Sequence, residues 1–216
     1  TAATTKPWGG VNGADALTIN RHFSGAVPLV GLRLKAGDVN NNIAVNSQDA
    51  LLVSRRFSGI TSSFAAGNWC FESLPVNITV FLLTQNLLGL CFGDVNGSYS
   101  GIPVRSNAPV VLSQSGVAHV DGGEILLPVT AGKAMEIGAS SLVFELPAGL
   151  EVLNVESALP GSDFIYNVVN GQLRSVWHHL EGAHLAEGDV LMTIRARSYG
   201  VVGWRINISV MKHGSF

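Results

Sequence analysis

The stretch Asp38-Val39-Asn40-Asn41-Asn42-Ile43-Ala44-Val45-Asn46-Ser47-Gln48-Asp49 constrains this chain more than any other. Oxygen-bearing side chains stand at its first, third, fifth, ninth and twelfth places (Asp38, Asn40, Asn42, Asn46 and Asp49), and Ala44 at the seventh can offer its carbonyl. Alternate side chains of a tight loop converge on one point, so this spacing suits a hard cation that takes about six to eight oxygens, calcium above all. Asn and Asp also favour turns for local reasons, which makes an Asn-rich surface turn the competing reading. Directly after the loop, Ala50 to Phe57 reads as a helix, with Ala50, Val53 and Phe57 on one face and Gly59 as its stop.

A loop that closes on its last ligand at a helix N-terminus has the plan of half an EF-hand. The sixth place departs from that plan, because Ile43 stands where a sharp turn calls for Gly. Asn41 or Asn42 is then expected to take the left-handed conformation.

The loop has partial relatives in the same chain. Val11-Asn12-Gly13-Ala14-Asp15-Ala16-Leu17 returns as Val45-Asn46-Ser47-Gln48-Asp49-Ala50-Leu51, and Arg21, Phe23, Ser24 and Gly25 return in register as Arg55, Phe57, Ser58 and Gly59. Upstream of Asn12, Lys6-Pro7-Trp8-Gly9-Gly10 carries no carboxylate. Far downstream, Gly93-Asp94-Val95-Asn96 repeats Gly37-Asp38-Val39-Asn40, Ser98 and Ser100 continue the alternate oxygens, and Arg105 stands where a closing acid belongs. One copy therefore has a back half and the other a front half. The expectation is that they meet, within one chain or between neighbouring molecules. Asp94, Asn96, Ser98 and the Ser100 carbonyl would then join Asn12 and Asp15 in a discontinuous second calcium site; two metal-free relics are the alternative.

Charge narrows the partners. Charged residues are 13% of the chain and the net charge is −2, so neither nucleic acid nor an anionic membrane surface is a natural partner. No apolar run reaches the roughly 18 residues of a membrane span, since Pro75, Asn77, Gln85 and Asn86 break the Leu74–Leu90 stretch. The opening Thr-Ala-Ala-Thr-Thr-Lys does not read as a secretory signal, which fits either a cytosolic or an already processed chain. Cys70 and Cys91 flank a segment whose halves could pair as strands; a disulfide and two buried thiols both remain open. The sequons at Asn77, Asn96 and Asn207 are short enough to arise by chance.

Catalysis is not expected. His178, His179 and His184, with Glu181 and Glu187 nearby, read as a polar loop between strands or as a zinc or His–carboxylate site. The spacings His-Glu-x-x-His and His-x-Glu…Cys-x-x-Cys are missing, as are a nucleophile elbow, a P-loop and a dinucleotide fingerprint. No two carboxylates stand out as an acid–base pair.

On Gly37-Asp38-Val39-Asn40 through Asn46 and Asp49, followed by Ala50-Leu51-Leu52 and Arg55-Arg56-Phe57, the first part resembles dockerin, a module of paired calcium-loop-and-helix repeats on extracellular bacterial proteins. The resemblance covers about residues 8–100, with a strand-rich insertion at 64–92, and implies docking to cohesin domains through the helices. Beyond a turn-rich linker the texture becomes strand-like, in runs 110–112, 124–129, 141–146, 151–155, 164–168, 172–177, 189–194 and 204–208, with a hairpin turn at Val169-Asn170-Gly171. Leu150-Glu151-Val152-Leu153, Tyr166 through Trp177 and Ala186-Glu187-Gly188-Asp189-Val190-Leu191 make this part similar to a cohesin-type sandwich over about 108–200.

The expected fold is thus α+β and mostly β. Small EF-hand-like helical loops with a strand insertion (1–100) lead through a linker (101–109) to an antiparallel cohesin- or immunoglobulin-like β-sandwich (110–216). The expected role is that of an extracellular, calcium-binding, non-enzymatic assembly protein whose partners are other protein chains, copies of itself first. Head-to-tail contacts would build a filament, with Thr1–Thr5 as a strand donor to a sandwich that reads as short at its C-terminus. The alternative is a scaffold or carbohydrate-binding module of a larger secreted enzyme, with Trp177 and Trp204 stacking on sugar.

Overall fold

The computed structural model describes residues 2–75, 85–99, 112–114, 118–120, 123–199 and 207–210. Two compact units make up the chain, one of residues 1–56 with 61–104 and the other of 57–60 with 105–216. The expected Ser100 ligand, the 101–109 linker, Val110-Val111 and Trp204-Arg205-Ile206 lie outside the described residues.

The loop-and-helix repeats fold as α1 (Gly13–Phe23), in the first unit, and α3 (Ser47–Ser58), in the first unit through Arg56. Each helix is started by an amide cap. Asn12 Oδ1 accepts the Ala14 N–H at 2.8 Å while Asp15 Oδ2 accepts the Asn12 N–H at 3.0 Å. Asn46 Oδ1 accepts the Gln48 N–H at 2.8 Å while Asp49 Oδ2 accepts the Asn46 N–H at 3.1 Å. These reciprocal bonds satisfy N–H groups that a helix start leaves open. They also begin α3 at Ser47 rather than Ala50, so the last three residues of the loop lie in the helix's first turn. The apolar face of α3 is as expected, with Ala50, Val53 and Phe57 buried. A further helix, α2 (Gly31–Gly37), has no side-chain cap at Val30, and that is why its start carries no sequence signal.

Val11, Ile19, Val39, Val53, Phe64, Cys70, Phe92 and Val95 pack into one core. Within the insertion, β1 (Trp69–Phe71) and β2 (Gly89–Cys91) pair antiparallel, with Cys70 opposite Leu90 and Cys91 opposite Trp69. Directly opposed residues share a face, so this register turns the two cysteines to opposite faces. Both are buried free thiols, and burial pushes the Cys91 thiol up to about 11.

The second unit is two antiparallel sheets. In one, β5 (Glu124–Ala131) lies between β10 (Val190–Ser198) and the short β3 (Leu112–Gln114) and β4 (Ala118–Val120), while β7 (Leu150–Ser157) pairs with β10. In the other, the order is β11 (Asn207–Val210), β6 (Met135–Glu145), β9 (Gln172–Leu185), β8 (Phe164–Val169). Ile125, Leu127, Val155 and Ile194 of the first sheet meet Leu142, Phe144 and Leu173 of the facing one, the packing of a sandwich. Asn170 and Gly171 both have positive φ (51° and 73°), as a tight hairpin turn between β8 and β9 demands.

Two expectations need correction here. His178, His179 and His184 lie in strand β9 and not in a loop, because β9 runs on past Trp177 to pair with the start of β6, through a register shift between Ile137 and Ala139. Trp177 is fully buried and donates its Nε1–H to the Pro160 carbonyl at 2.9 Å, so it has no face for sugar. Of the expected strand donor Thr1–Thr5, Thr1 lies outside the described residues.

His178 faces inward, 5% exposed, with Asp163 at 3.9 Å. Burial lowers its pKa, Asp163 opposes that, and the neighbouring His179 adds to the lowering. The folded value lies below the unfolded one of about 6.5, so the unfolded chain takes up the proton first. Stability from neutral His178 is complete above that pH and is lost as pH falls through the interval below it. In calorimetric melts the sandwich transition is expected to drop below about pH 6.5, and His178→Gln should flatten that dependence.

Candidate metal centre

The continuous loop is held by bonds from its own peptide N–H groups to its side-chain oxygens. Asp38 Oδ1 and Asn40 Oδ1 share the Asn42 N–H, each at 3.0 Å, and Asp38 Oδ2 takes the Ile43 N–H at 2.9 Å. Asn42 Oδ1 takes the Ala44 N–H at 2.9 Å. Asp49, at the far end, reaches back with Oδ1 to the N–H groups of Val39 (3.1 Å) and Asn40 (3.3 Å). These bonds tie the side-chain oxygens of Asp38, Asn40, Asn42, Asn46 and Asp49 into one loop. Asp49 Oδ1 already accepts two N–H groups, while the oxygens that accept one keep a second lone pair for a ligand.

The two half-loops reproduce most of this frame, except that Ser98 Oγ donates to the Gly10 carbonyl where Asn42 Oδ1 accepts the Ala44 N–H. Asp94 Oδ1 and Asn96 Oδ1 share the Ser98 N–H at 2.9 and 2.8 Å, and Asp94 Oδ2 takes the Tyr99 N–H at 3.0 Å. Asp15 Oδ1 takes the Asn96 N–H at 3.2 Å, across 81 residues of sequence, and the Val95 N–H also bonds to Asp15. The structure thus brings Asp94, Asn96 and Ser98 together with Asn12 and Asp15 in a single chain.

One residue escaped the sequence reading. Gly10 stands two places before Asn12, as Ala44 stands two places before Asn46, so the register gives the seventh place to Gly10. Its carbonyl accepts from Asn12 Nδ2 at 3.0 Å and from Ser98 Oγ at 3.1 Å. A Cβ added there would lie 2.7 Å from Asp94 Oδ2, with φ already at +86°. Extending the repeat backward from Asn12 finds this residue; extending it forward from Ser98 leads to Ser100 instead.

Placing the cut between the sixth and seventh places changes the backbone. Asn41 and Ile43 both have positive φ in the continuous loop, at 60° and 72°. The expectation named Asn41 or Asn42; the turn also runs through Ile43, a β-branched residue for which that conformation is sterically costly. Gly97 (φ 71°) takes Asn41's place in the split loop, while Tyr99, at Ile43's place, is not among the described residues with positive φ. The chain need not turn inward after Tyr99, since the loop resumes from another segment.

The electrostatics favour a cation. Asp15, Asp49 and Asp94 are fully buried. Burial, then the like charge of Asp94, raises the Asp15 carboxyl well above the ordinary range, and burial with a smaller part from Asp38 raises Asp49. Two desolvated carboxylates facing each other are unfavourable until a positive charge stands between them. Among the described residues no three His, Cys, Asp or Glu side chains cluster. Each loop instead pairs two carboxylates with amide, hydroxyl and peptide oxygens, a hard donor set that fits calcium. The residues that would hold it are Asp38, Asn40, Asn42, Ala44 (carbonyl), Asn46 and Asp49 in one loop, and Asp94, Asn96, Ser98, Asn12 and Asp15 in the other, with a carbonyl from Gly10 or from Ser100, which lies outside the described residues.

Residues 9–58 match the dockerin type I domain. That match takes in the back half-loop, the whole continuous loop and the helix after each; the front half-loop at Asp94 lies outside it. No curated protein matches the chain. Among solved structures, a non-cellulosomal cohesin from the hyperthermophilic archaeon Archaeoglobus fulgidus is 21% identical with a TM-score of 0.33, over 41% of this chain and 67% of that one. The chitin-binding domain of Chi18aC from Streptomyces coelicolor is 10% identical with a TM-score of 0.31, over 46% of this chain and 89% of that one.

Ile43 is 97% exposed, so its side chain contributes no packing to offset its backbone. Ile43→Gly in the dockerin segment is expected to stabilise the calcium-loaded unit by on the order of 1 kcal/mol, the scale of left-handed strain less the added freedom of glycine. Thermal melts in excess calcium measure it.

Proposed function

We propose that this chain is a non-catalytic association module of a secreted protein, in which two calcium ions brace a dockerin segment that docks on another protein chain. The observation that carries the reading is the shared hydrogen-bond frame of the continuous and the split loop, each closed around two carboxylates. Ligand charge tunes calcium affinity, so two carboxylates per loop give weak-to-moderate sites of ~10⁻⁵ to 10⁻³ M, which fill outside a cell and stay mostly empty in a cytosol. Because the ions draw together segments far apart in sequence, their binding is also folding energy.

Calcium titration by calorimetry tests the pairing. Asp15→Ala and Asp94→Ala are each expected to remove the same ion, and the double variant to lose little more than either single one. Asp38→Ala should add nearly independently to both. Additive losses from Asp15 and Asp94, or two ions still bound by Asp94→Ala, would show that the half-loops share no ion.

The partner we propose is a second copy of the chain. A docking segment followed by a sandwich whose sequence resembles cohesins gives one molecule two unlike surfaces. Contacts between unlike surfaces extend into an open filament unless their rotation closes a ring. Sedimentation and negative-stain microscopy at high protein concentration in calcium are expected to show such assemblies, dispersed by chelator. A monomer under all these conditions defeats self-association.

A further inference from the structure

The two loops share a frame but differ in the residues next to their amide ligands. In the continuous loop Asn40, Asn42 and Asn46 precede Asn41, Ile43 and Ser47. In the split loop both amides precede glycine, as Asn12-Gly13 and Asn96-Gly97. Glycine lacks the Cβ that hinders its own peptide nitrogen. An Asn-Gly pair is therefore the sequence context in which that nitrogen most readily attacks the preceding side-chain amide.

The two pairs are not equally protected. Asn12 is bonded at both ends of its amide, to Gly10 and Ala14, and Gly13 is the first residue of α1. Asn96-Gly97 lies in an irregular turn, with Gly97 at φ 71°. Its restraints come from the loop itself: Asn96 Oδ1 takes the Ser98 N–H at 2.8 Å, the Asn96 N–H is held by Asp15, and the Gly97 N–H points to the Asp94 carbonyl at 3.3 Å. The first and third are local to the front half-loop. The bond from the Asn96 N–H to Asp15 is the one that ties this turn to the other half. It lasts while Asp94 and Asp15 stay together, the arrangement that their like charges oppose when no cation is bound.

We propose that Asn96-Gly97 is a deamidation site gated by calcium, closed while the second loop holds its ion and open when the ion leaves. This rests on the split loop being a calcium site. In the step, the Gly97 peptide nitrogen forms a bond to Asn96 Cγ, the Cγ–Nδ2 bond breaks, and the Gly97 proton leaves with Nδ2 as ammonia. Water then opens the cyclic imide. Cleavage of the N–Cγ bond leaves an aspartyl side chain at position 96, and cleavage of the bond to the main-chain carbonyl leaves isoaspartate. The first product gives the loop a third carboxylate; the second lengthens the backbone and moves the carboxylate away from the Ser98 N–H. Loss of calcium would thus be recorded covalently at one ligand of one site.

The test incubates the full chain with saturating calcium or with chelator and follows each Asn-Gly pair by peptide mass mapping, with calorimetry counting bound ions. Asn170-Gly171, exposed in the β8–β9 turn, is the internal reference. If opening precedes the reaction, calcium at ten times its dissociation constant should slow conversion at Asn96 about tenfold relative to chelator. Conversion at Asn170 should be the same in both. Two bound ions with an Asn96 rate indifferent to calcium, or an Asn96 that persists in chelator while Asn170 converts, overturns the gating. A single bound ion overturns the second calcium site and the gating with it.

Discussion

Two carboxylates buried against each other, Asp15 and Asp94, set the terms for the first unit. Neither is a favourable neighbour for the other in a place without water. What offsets their repulsion in the chain itself is a set of peptide N–H groups, those of Asn12, Asn96 and Val95 on Asp15 and those of Ser98 and Tyr99 on Asp94. Hydrogen bonds to the charged form hold it in place, and a divalent cation would finish the neutralisation. At the continuous loop Asp49 is buried and Asp38 half-buried, and both accept peptide N–H groups in the same way. In both places the carboxylates are structural ties.

Those ties reach into the helices. Asp15 and Asp49 sit in the first turns of α1 and α3, where negative charge suits the exposed N–H groups and the positive end of the helix. Each bonds back to its cap residue and onward to the loop's front end. Loss of the carboxylate at either position would therefore loosen a helix start as well as the loop. Trp8 ties down the strap that brings in Gly10: its Nε1–H donates to the Phe92 carbonyl at 3.0 Å, its ring meets Phe64 edge-on, and the Arg56 guanidinium lies 4.3 Å above it. Arg56 belongs to α3, so the helix that the continuous loop starts also covers the strap that completes the split one.

The cut in the second loop has a structural logic of its own. A continuous twelve-residue loop must reverse direction near its middle, and here Ile43 bears the left-handed turn that glycine would take with less strain. The split loop supplies its two halves from opposite ends of the unit and avoids that reversal at Tyr99. The cost moves elsewhere, to closing a chain of some 80 residues, a term that grows slowly with length.

Alternate oxygens and a repeated seven-residue segment were enough to mark the continuous loop, the helix after each back half and the kinship of residues 12–15 with residues 94–98. Those features are local, because ligand spacing, helix caps and apolar periodicity act within a few residues. The alternation of the sandwich strands and the Asn170-Gly171 turn were legible for the same reason. Other features were decided in three dimensions. The extension of β9 through His178 to Leu185 follows from pairing with β6, the burial of Trp177 from its place between two sheets, and the thiol state of Cys70 and Cys91 from a register one residue out of line. That the Gly10 carbonyl meets Ser98 required knowing where the chain re-enters the loop. Spacing can specify which atoms a site needs, but when the site is assembled from two segments, packing determines which residue delivers each one.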